Sequence, residues 1–292
     1  MMNFIYRILL KVLTFKIQHM PLSWALKSGE LLGMVGYYFV PKRRRTAFDN
    51  LKHAFPEKSD KEIKQIIKSM AKNLGRNMME FLRLPKMTDS DINRYIEFEG
   101  LVHLDNALAK GKGAFILTAH FGNWDLVAAA LAVKGYQTNL VTKYLKSELL
   151  NSLWMDFRKR AKVNIFYREG SLKNIITHLK NNEIIGFVLD QNTKREEGVF
   201  VNFFGRPACT IPSLATLSQR LDAPVVPCFN IRKKGGCHKV MFELEIPFTK
   251  KDTVEESIVY NTQVYTNVIE RYIRQYPDHW IWLHRRWKTH PK

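Results

Sequence analysis

The 292-residue sequence has few cysteines, few acidic residues for its length and no long uncharged segment. Its three cysteines, Cys209, Cys228 and Cys237, are an odd number without a C-x-x-C spacing. This pattern argues against a disulfide framework or a structural zinc site and favours a reducing compartment. No run of about 18 residues is free of charge, which excludes a polytopic membrane protein. The G-x-S-x-G segment that carries a serine nucleophile in many hydrolases is also missing.

Acidic residues are outnumbered by basic ones, 27 Asp and Glu against 46 Lys and Arg, so the formal net charge is +19. The hydrophobic share of 46% supplies enough apolar material for a core, which excludes a disordered polycation. A charge of this size predicts an acidic partner, which is nucleic acid, an anionic membrane surface or an acidic protein. The length allows one large domain or two modest ones.

Residues 1–41 are apolar but lack the small-residue cleavage site of a secretory signal. The run over residues 22–40 carries Lys27 and Glu30, which favours a helix lying in the membrane interface over one that spans it. The basic segment Lys42–Arg45 follows at once, and each such charge contributes about 1 kcal/mol against an anionic leaflet. We therefore expect residues 1–41 to bind the cytoplasmic face of the inner membrane. The alternative is a buried N-terminal hairpin followed by a solvated basic loop.

The spacing of apolar residues divides the rest of the chain into two regions. Ser59 and Glu62 form a capping-box pattern, and apolar residues at helical spacing follow it, so residues 42–96 are predicted to be a helical lead-in. Beyond them, amphipathic helical stretches separate short apolar runs, which are predicted strands: Ala114–Thr118, Thr138–Thr142, Val163–Tyr167, Ile184–Leu189, Pro224–Asn230 and Val240–Ile246. This alternation predicts an α/β fold, with a largely parallel mixed sheet flanked by helices, in a single domain over residues 42–292.

His120 differs from the other histidines because it follows the first of these predicted strands. Ligands of open α/β sheets bind beyond the carboxyl ends of the strands, which is where His120 must lie. Asp125 follows five residues later, and the two side chains can meet only if the chain turns between them, which Gly122 permits. Asp125 would then accept the proton of one imidazole nitrogen and leave the other nitrogen as a base. With no protein nucleophile in view, this pair predicts direct activation of a substrate hydroxyl.

These residues carry a resemblance to a known family. His120–Asp125 resembles the H-x4-D/E block of membrane glycerolipid acyltransferases, and the wording His-Phe-Gly-Asn-Trp resembles the late acyltransferases of lipid A biosynthesis, the lauroyl/myristoyl transferases. Further segments are similar to blocks of that family in order and spacing: residues 165–168, 190–210, 223–227 and 280–288. Two positions differ from the family pattern, namely Asp125, where most relatives carry Glu, and Asn192, where they carry Asp.

The resemblance implies transfer of a fatty acyl group from acyl-carrier protein to a hydroxyl of a phosphorylated lipid A precursor, without an acyl-enzyme, a metal or a cofactor. In that family the acceptor is the 3-hydroxyl of an acyl chain already on the disaccharide. His120 would be the base and Asp125 its orienting partner. We expect Asn123 and the backbone N–H groups beside it to stabilise the oxyanion. Arg168 is expected either to hold a phosphate or brace Asp190, or to form only a surface salt bridge. The positions expected to bind substrate are Asn123, Arg168, Asp190, Gln191 and Arg206.

Three interpretations stay open at this point. Residues 200–204 are either a buried strand or the lining of an acyl pocket. In the tail, interleaved Trp and Arg fit a membrane interface or single-stranded nucleic acid. Equally, Trp280 and Trp282 would pack in the core while Arg285 and Arg286 face lipid phosphates. The same pair of catalytic residues would also serve acylation of another glycolipid or a lysophospholipid. A basic membrane- or nucleic-acid-binding protein without catalysis is the alternative of a different class. The sequence has no helix-turn-helix, zinc or RNP-type motif in support of nucleic acid binding.

Overall fold

The computed structural model describes residues 2–145, 147–168 and 170–291. The helices are α1 Met2–His19, α2 Leu22–Phe39, α3 Pro41–Ala54, α4 Asp60–Arg83, α5 Asp89–Tyr95, α6 Leu101–Leu108, α7 Trp124–Val133, α8 Glu148–Arg160, α9 Leu172–Lys180, α10 Ser213–Leu221 and α11 Val254–Gln275. The strands are β1 Ile96–Glu99, β2 Ala114–Thr118, β3 Thr138–Thr142, β4 Asn164–Tyr167, β5 Ile184–Val188, β6 Val199–Phe203, β7 Arg206–Thr210, β8 Val225–Arg232 and β9 His238–Phe242.

Over the described ranges, the main sheet has seven strands in the order β1-β9-β8-β2-β5-β3-β4. Its pairs are parallel except β8–β9, and β6–β7 form a separate antiparallel hairpin. The predicted fold class, α/β with a mostly parallel sheet flanked by helices, is therefore confirmed. Each of the six predicted strands overlaps an observed one. The largest difference is at β9, which ends at Phe242 whereas the predicted run continues to Ile246. The run at residues 200–204 is largely the hairpin strand β6.

Apolar side chains alternate along the strands, so each face of the sheet has its own core. On β2, Phe115 and Leu117 join the core that also packs against α4, α10 and α11. Ala114 and Ile116 join the other core, under α7 and α8. Because both faces are covered, a ligand can reach the sheet most readily at the ends of its strands.

The strands β3 and β5 separate toward their carboxyl ends. They pair only from Thr138–Ile184 to Leu140–Gly186. Beyond that point β5 continues along β2 as far as Val188, whereas β3 continues along β4 as far as Thr142. A gap therefore opens in the sheet, and it opens at the edge where ligands bind in α/β folds.

The N-terminal helices pack against the rest of the chain at α4, whose predicted capping box at Ser59 is present. Helix α2 lies so close to α4 that a Cβ atom on Gly29 would come within 2.5 Å of the Gly75 carbonyl oxygen. Glu30, which interrupts the apolar run of α2, forms an ion pair with Arg76 of α4 at 2.7 Å. Within the described ranges, no helix combines the length and the apolar character that crossing a bilayer requires.

Candidate active site

The candidate site lies at the carboxyl ends of the neighbouring parallel strands β2 and β5. His120 follows β2 and Asp190 follows β5, so strand pairing brings the two residues together although 70 positions separate them. The chain turns sharply at Gly122, whose φ of +58° favours glycine. A Cβ atom there would lie 2.0 Å from the carbonyl oxygen of Asn230, so the turn also depends on the absence of a side chain.

Asp190 holds His120 by two hydrogen bonds. The imidazole Nδ1 lies 2.9 Å from Asp190 Oδ1, and the backbone N–H of His120 donates to Oδ2 at 3.1 Å. The indole Nε1 of Trp280 donates to the same Oδ2 at 2.6 Å. With Nδ1 bound to a carboxylate, Nε2 is the ring nitrogen left to exchange a proton. His120 is 27% exposed, whereas Asp190 is buried.

The pKa values of the pair move in opposite directions. Burial disfavours the charged imidazole, but the Asp190 carboxylate and its hydrogen bond outweigh burial, and Asp125 adds to them, so the pKa of His120 is raised. Burial also disfavours the Asp190 carboxylate, but His120 and the hydrogen bond from Trp280 outweigh it, so the pKa of Asp190 is lowered. Asp190 is therefore a carboxylate at neutral pH, and it stabilises a proton on His120.

The prediction that Asp125 orients the imidazole is wrong in this structure. Asp125 is buried in the first turn of α7 and accepts hydrogen bonds from Arg158 of α8, whose Nε and Nη2 both lie 2.7 Å from Oδ1. The pKa of Asp125 is raised because burial outweighs the Arg158 charge. The helix begins immediately after the turn, so the Asp125 side chain is directed toward α8. The imidazole of His120 is bound by Asp190 instead. The sequence gives no sign that Arg158 belongs to the site, because Arg158–Arg160 is a run of basic residues typical of a solvent-exposed helix end.

Asn123 does not have the free donor that its predicted oxyanion role requires. It is the N-cap of α7: its Oδ1 accepts from the N–H of Leu126, and its Nδ2 donates to Glu80 at 2.7 Å. The neighbouring backbone N–H groups are also engaged, since Gly122 donates to the His279 carbonyl and Asn123 to Asn230 Oδ1. The first N–H groups of a helix have no partner within the helix, so a buried helix start needs capping groups. Asn123 is used as such a cap and is therefore not free to bind an oxyanion.

Glu80 is the centre of a buried polar cluster behind the turn. Besides Asn123, it accepts hydrogen bonds from Arg232 at 2.6 Å and contacts His238 at 3.0 Å. Burial disfavours its charge, but His238 and Arg232 outweigh burial, so the pKa of Glu80 is held far below its ordinary value. The cluster joins α4, β8 and β9 to the N-cap of α7, and no motif in the sequence pointed to it.

Of the other predicted substrate-binding residues, the structure places two at the site. Gln191 Nε2 lies 3.3 Å from both ring nitrogens of His120. Arg168 lines the same cavity, but its Nη2 bonds to Glu197 at 2.9 Å and not to Asp190, so its predicted brace to Asp190 is absent. Arg206 lies exposed at the β6–β7 turn, outside the residues that line this cavity.

The C-terminal tryptophans complete the wall behind Asp190. Trp280 and Trp282 are buried, which favours the core interpretation of the tail over the interfacial one. Arg286 is also buried, at 1% exposure, and donates to the Cys209 carbonyl at 2.8 Å, so the expectation that it faces lipid phosphates is wrong. Burial lowers the pKa of Arg286 to about 10. Arg285 alone of this pair is exposed to solvent.

A cavity of about 840 Å³ opens beside His120. Arg158, Arg168 and Gln191 contribute polar groups to it, and most of the remaining wall is apolar. Its size and composition are those of a site for a molecule with a large hydrocarbon part. Across residues 2–145, 147–168 and 170–291, no three His, Cys, Asp or Glu side chains are grouped so as to hold a metal ion.

Comparison with known proteins gives a consistent result. The sequence profile of a protein family described as bacterial lipid A biosynthesis acyltransferase matches residues 2–289. A lipid A biosynthesis acyltransferase of Haemophilus influenzae is 24% identical over 257 residues, or 87% of this chain and 79% of that protein. A lipid A biosynthesis lauroyltransferase of Escherichia coli is 26% identical over 93% of this chain and 87% of its own length. A phosphatidylinositol mannoside acyltransferase of Mycobacterium tuberculosis is 25% identical over 83% and 82%, respectively.

Proposed function

The chain belongs to the family of bacterial lipid A biosynthesis acyltransferases, and from that premise we propose that it moves a fatty acyl group from acyl-carrier protein to a hydroxyl of a lipid A precursor. Its relatives are named acyltransferases, so the prediction of an enzyme is confirmed over that of a basic binding protein. Acyl transfer in lipid A biosynthesis is the activity of the family. The donor, the mechanism and the membrane are the parts proposed here.

The observation that carries the mechanism is the setting of His120. Its Nδ1 is bound to a buried carboxylate, and its ring lies at the wall of a large apolar cavity. A base held in one tautomer beside an apolar chamber suits a hydroxyl that must lose its proton only as it attacks. The raised pKa of His120 supports this role, because it makes the imidazole a stronger base toward the acceptor hydroxyl.

The reaction proceeds in one addition and one elimination. The acceptor hydroxyl oxygen attacks the thioester carbonyl carbon while His120 Nε2 takes the hydroxyl proton. The tetrahedral intermediate then collapses, the carbon–sulfur bond breaks, and the leaving thiolate takes the proton back from the imidazolium. The products are an ester and the free thiol of the carrier. Asp190 stays ionised throughout and stabilises the charged imidazole between the two steps.

Arg158 is the group we assign to the oxyanion of the intermediate. Its Nε and Nη2 are bound to Asp125, whereas Nη1 donates to no residue in the described part of the chain. The guanidinium lines the cavity and is 8% exposed, so a charge presented there is poorly screened by water. Asp125 lies close enough to His120 to raise its pKa, which keeps Arg158 within the same small region. Asp125 is thus a positioning residue for the guanidinium.

The proposed donor is an acidic carrier protein, and the rim of the cavity is basic. Lys143, Arg168 and Arg220 all line the cavity, and Lys143 and Arg220 are exposed. These charges suit the docking of an acidic protein that must insert a thioester into the opening. The excess of +19 over the whole chain would steer such a partner over a longer range.

We also propose that the protein binds the cytoplasmic face of the inner membrane through α2. The side of α2 opposite α4 exposes an apolar stripe that includes Trp24, Leu31, Val35 and Phe39, the last at 80% exposure. The basic segment Lys42–Arg45 adjoins the end of this helix. An apolar helix face next to basic residues is typical of binding to an anionic bilayer surface.

Vesicle binding tests the membrane proposal. We expect the protein to sediment with phosphatidylglycerol-rich vesicles, and the double variant Leu31→Glu, Phe39→Glu to sediment several-fold less. Leu244→Glu is the matched control, because Leu244 is an exposed apolar residue outside α2, at 71%. Equal binding of all three proteins would refute α2 as the docking surface. Substitution is preferable to deletion here because α2 packs on α4.

An acyl-transfer assay tests the enzymatic proposal. Purified protein in detergent is given acyl-carrier-protein thioesters and a tetra-acylated lipid A precursor, and mass spectrometry measures the products. We expect addition of one acyl group, which His120→Ala abolishes while circular dichroism shows an unchanged fold. Transfer that survives His120→Ala would overturn the mechanism, and failure of the wild type to acylate this acceptor would overturn the acceptor.

A second acceptor class has a specific observation in its favour. One of the relatives is named for acylation of a phosphatidylinositol mannoside, at an identity similar to that of the lipid A enzymes. Another phosphorylated glycolipid is therefore the alternative acceptor. Offering both acceptors at equal concentration, and comparing kcat/KM for each, distinguishes the two functions.

A further inference from the structure

The cavity beside His120 has walls on both faces of the sheet. The strands β3 and β5 stop pairing after Leu140 and Gly186, and the cavity occupies the gap that opens beyond them. Its lining residues belong to both hydrophobic cores, which an uninterrupted sheet would keep apart. The cavity therefore has one arm on the α7 face and another on the face covered by α9 and α10.

The arm on the α7 face is lined mostly by buried apolar residues. Its wall includes Ile116, Ala128, Leu131, Leu140, Ile184 and Cys228. It extends from the level of the Thr118–Val188 pair to that of Ala114–Ile184, four residues along the strands, which corresponds to ~13 Å. Gly186 lies halfway along this arm. A side chain at this position would narrow the arm, since its Cβ atom would come within 2.6 Å of Leu140 Cδ2.

The arm on the opposite face is more open to solvent. Its wall includes Leu172, Ile175, Phe187, Leu189, Ile211 and Leu217. Leu172 and Thr216 at its mouth are exposed, and Arg220 lies one helical turn beyond Thr216. This arm thus combines an apolar interior with a basic, solvent-facing entrance.

We infer that the cavity holds two hydrocarbon chains, one on each face of the sheet, with the donor acyl chain in the α7-face arm and a chain of the acceptor in the α9–α10 arm. The assignment follows from Arg158, which lies on the α7 side: the carbonyl that it stabilises is the first carbon of the donor chain. The acceptor chain belongs in the open arm, because its glycolipid head must remain outside near the basic entrance. This inference rests on the acyl transfer proposed above.

Substitutions in the α7-face arm should change the preference for donor chain length, and a substitution in the other arm should change only the KM for the acceptor. In the α7-face arm, Gly186→Val removes depth and Leu140→Ala adds it. Each methylene that no longer fits should reduce kcat/KM about fourfold, so Gly186→Val shifts the preferred donor to shorter chains and Leu140→Ala to longer ones. The matched variant in the other arm is Thr216→Trp, which should raise KM for the acceptor several-fold and leave the donor-length preference unchanged.

Binding measurements make the test independent of turnover. The probes are alkyl pantetheine thioethers of graded length and a 3-hydroxy fatty acid, titrated by calorimetry into the full-length protein and into each variant. We expect Gly186→Val to weaken only the longer thioethers, and Thr216→Trp to weaken only the hydroxy acid. Two folded α7-arm variants with the wild-type length profile would overturn the inference, as would mutual exclusion of the two probes. If the wild type binds both probes together but transfers nothing, the proposed function fails and the two-arm inference stands.

Discussion

Replacing Asp190 by Asn removes the negative charge that holds the His120 proton and keeps a hydrogen-bond acceptor in the same place. The two groups are 2.9 Å apart, and Asp190 is buried, so solvent screens the pair weakly. An opposite charge at such a distance typically shifts a pKa by about 1–3 units. Because the carboxylate raises the pKa of His120, Asp190→Asn should lower it.

Two consequences for the rate follow from this shift. His120 must be unprotonated to act as a base, so kcat/KM rises as the pH passes upward through its pKa, and in Asp190→Asn the rise should occur at lower pH. The charged imidazole is also less stable in the variant. Since one unit corresponds to ~1.4 kcal/mol, the plateau rate should fall by up to about 10- to 1000-fold.

The assay is acyl transfer measured at a series of pH values, with Asp125→Asn as the matched control. Asp125 raises the pKa of His120 less than Asp190 does and shares its charge with Arg158, so the control should shift the pH profile less. An unshifted profile in Asp190→Asn, combined with a large shift in Asp125→Asn, would refute the assignment. It would show that the pair predicted from the sequence, His120 with Asp125, forms in the working enzyme.

Two further predictions concern stability. Glu80→Gln should destabilise the fold by about 3–5 kcal/mol, because it leaves the Arg232 guanidinium buried without a countercharge. The pKa of Glu80 is lowered on folding, so its contribution is complete above its ordinary value of 4.5 and is lost as the pH falls below it, a dependence that the variant should lack. Gly122→Ala should lower the melting temperature and abolish transfer, because φ is positive and the new methyl would collide with the Asn230 carbonyl.

Calorimetric melting curves recorded between pH 3 and pH 8 check both stability predictions. Glu97→Gln is the control for Glu80→Gln, since Glu97 forms an exposed ion pair with Lys233 and its loss should change the melting temperature far less. Equal effects of the two glutamate variants would contradict the importance given to burial. For Gly122, a variant that melts and turns over like the wild type would contradict the steric argument.

Local patterns in the sequence were sufficient to predict much of the fold. The strand Ala114–Thr118 and the helix start after Asn123 have local signals, because a short apolar run, a glycine turn and an N-cap residue all lie within a few positions. The small strand β1 was missed because its four residues, Ile96–Glu99, include two acidic ones and show no apolar run. It is a strand because it pairs with β9, which lies more than 100 residues later.

The sequence predicts the position of His120 but not the partners of His120 and Asp125. His120 lies where a strand-to-helix turn should place it, yet its partner is Asp190 and not the nearby Asp125. That choice depends on β5 being the neighbour of β2, and strand order is a property of the whole sheet. The pairing of Asp125 with Arg158 likewise depends on how α7 and α8 pack. Partners that are close in space but distant in sequence give no local signal.

The C-terminal segment has a consequence for how the protein is made. Trp280 donates a hydrogen bond to Asp190 beside His120. Ser69 donates to Asp278, and Asn50 donates to the carbonyl of Trp282, so the last part of the chain also contacts its first third. Contacts of such long sequence separation slow folding, and here they form only after nearly all of the chain has left the ribosome. A nascent chain therefore carries an incomplete His120 site during synthesis. Activity should begin only after translation of the tryptophan-rich segment.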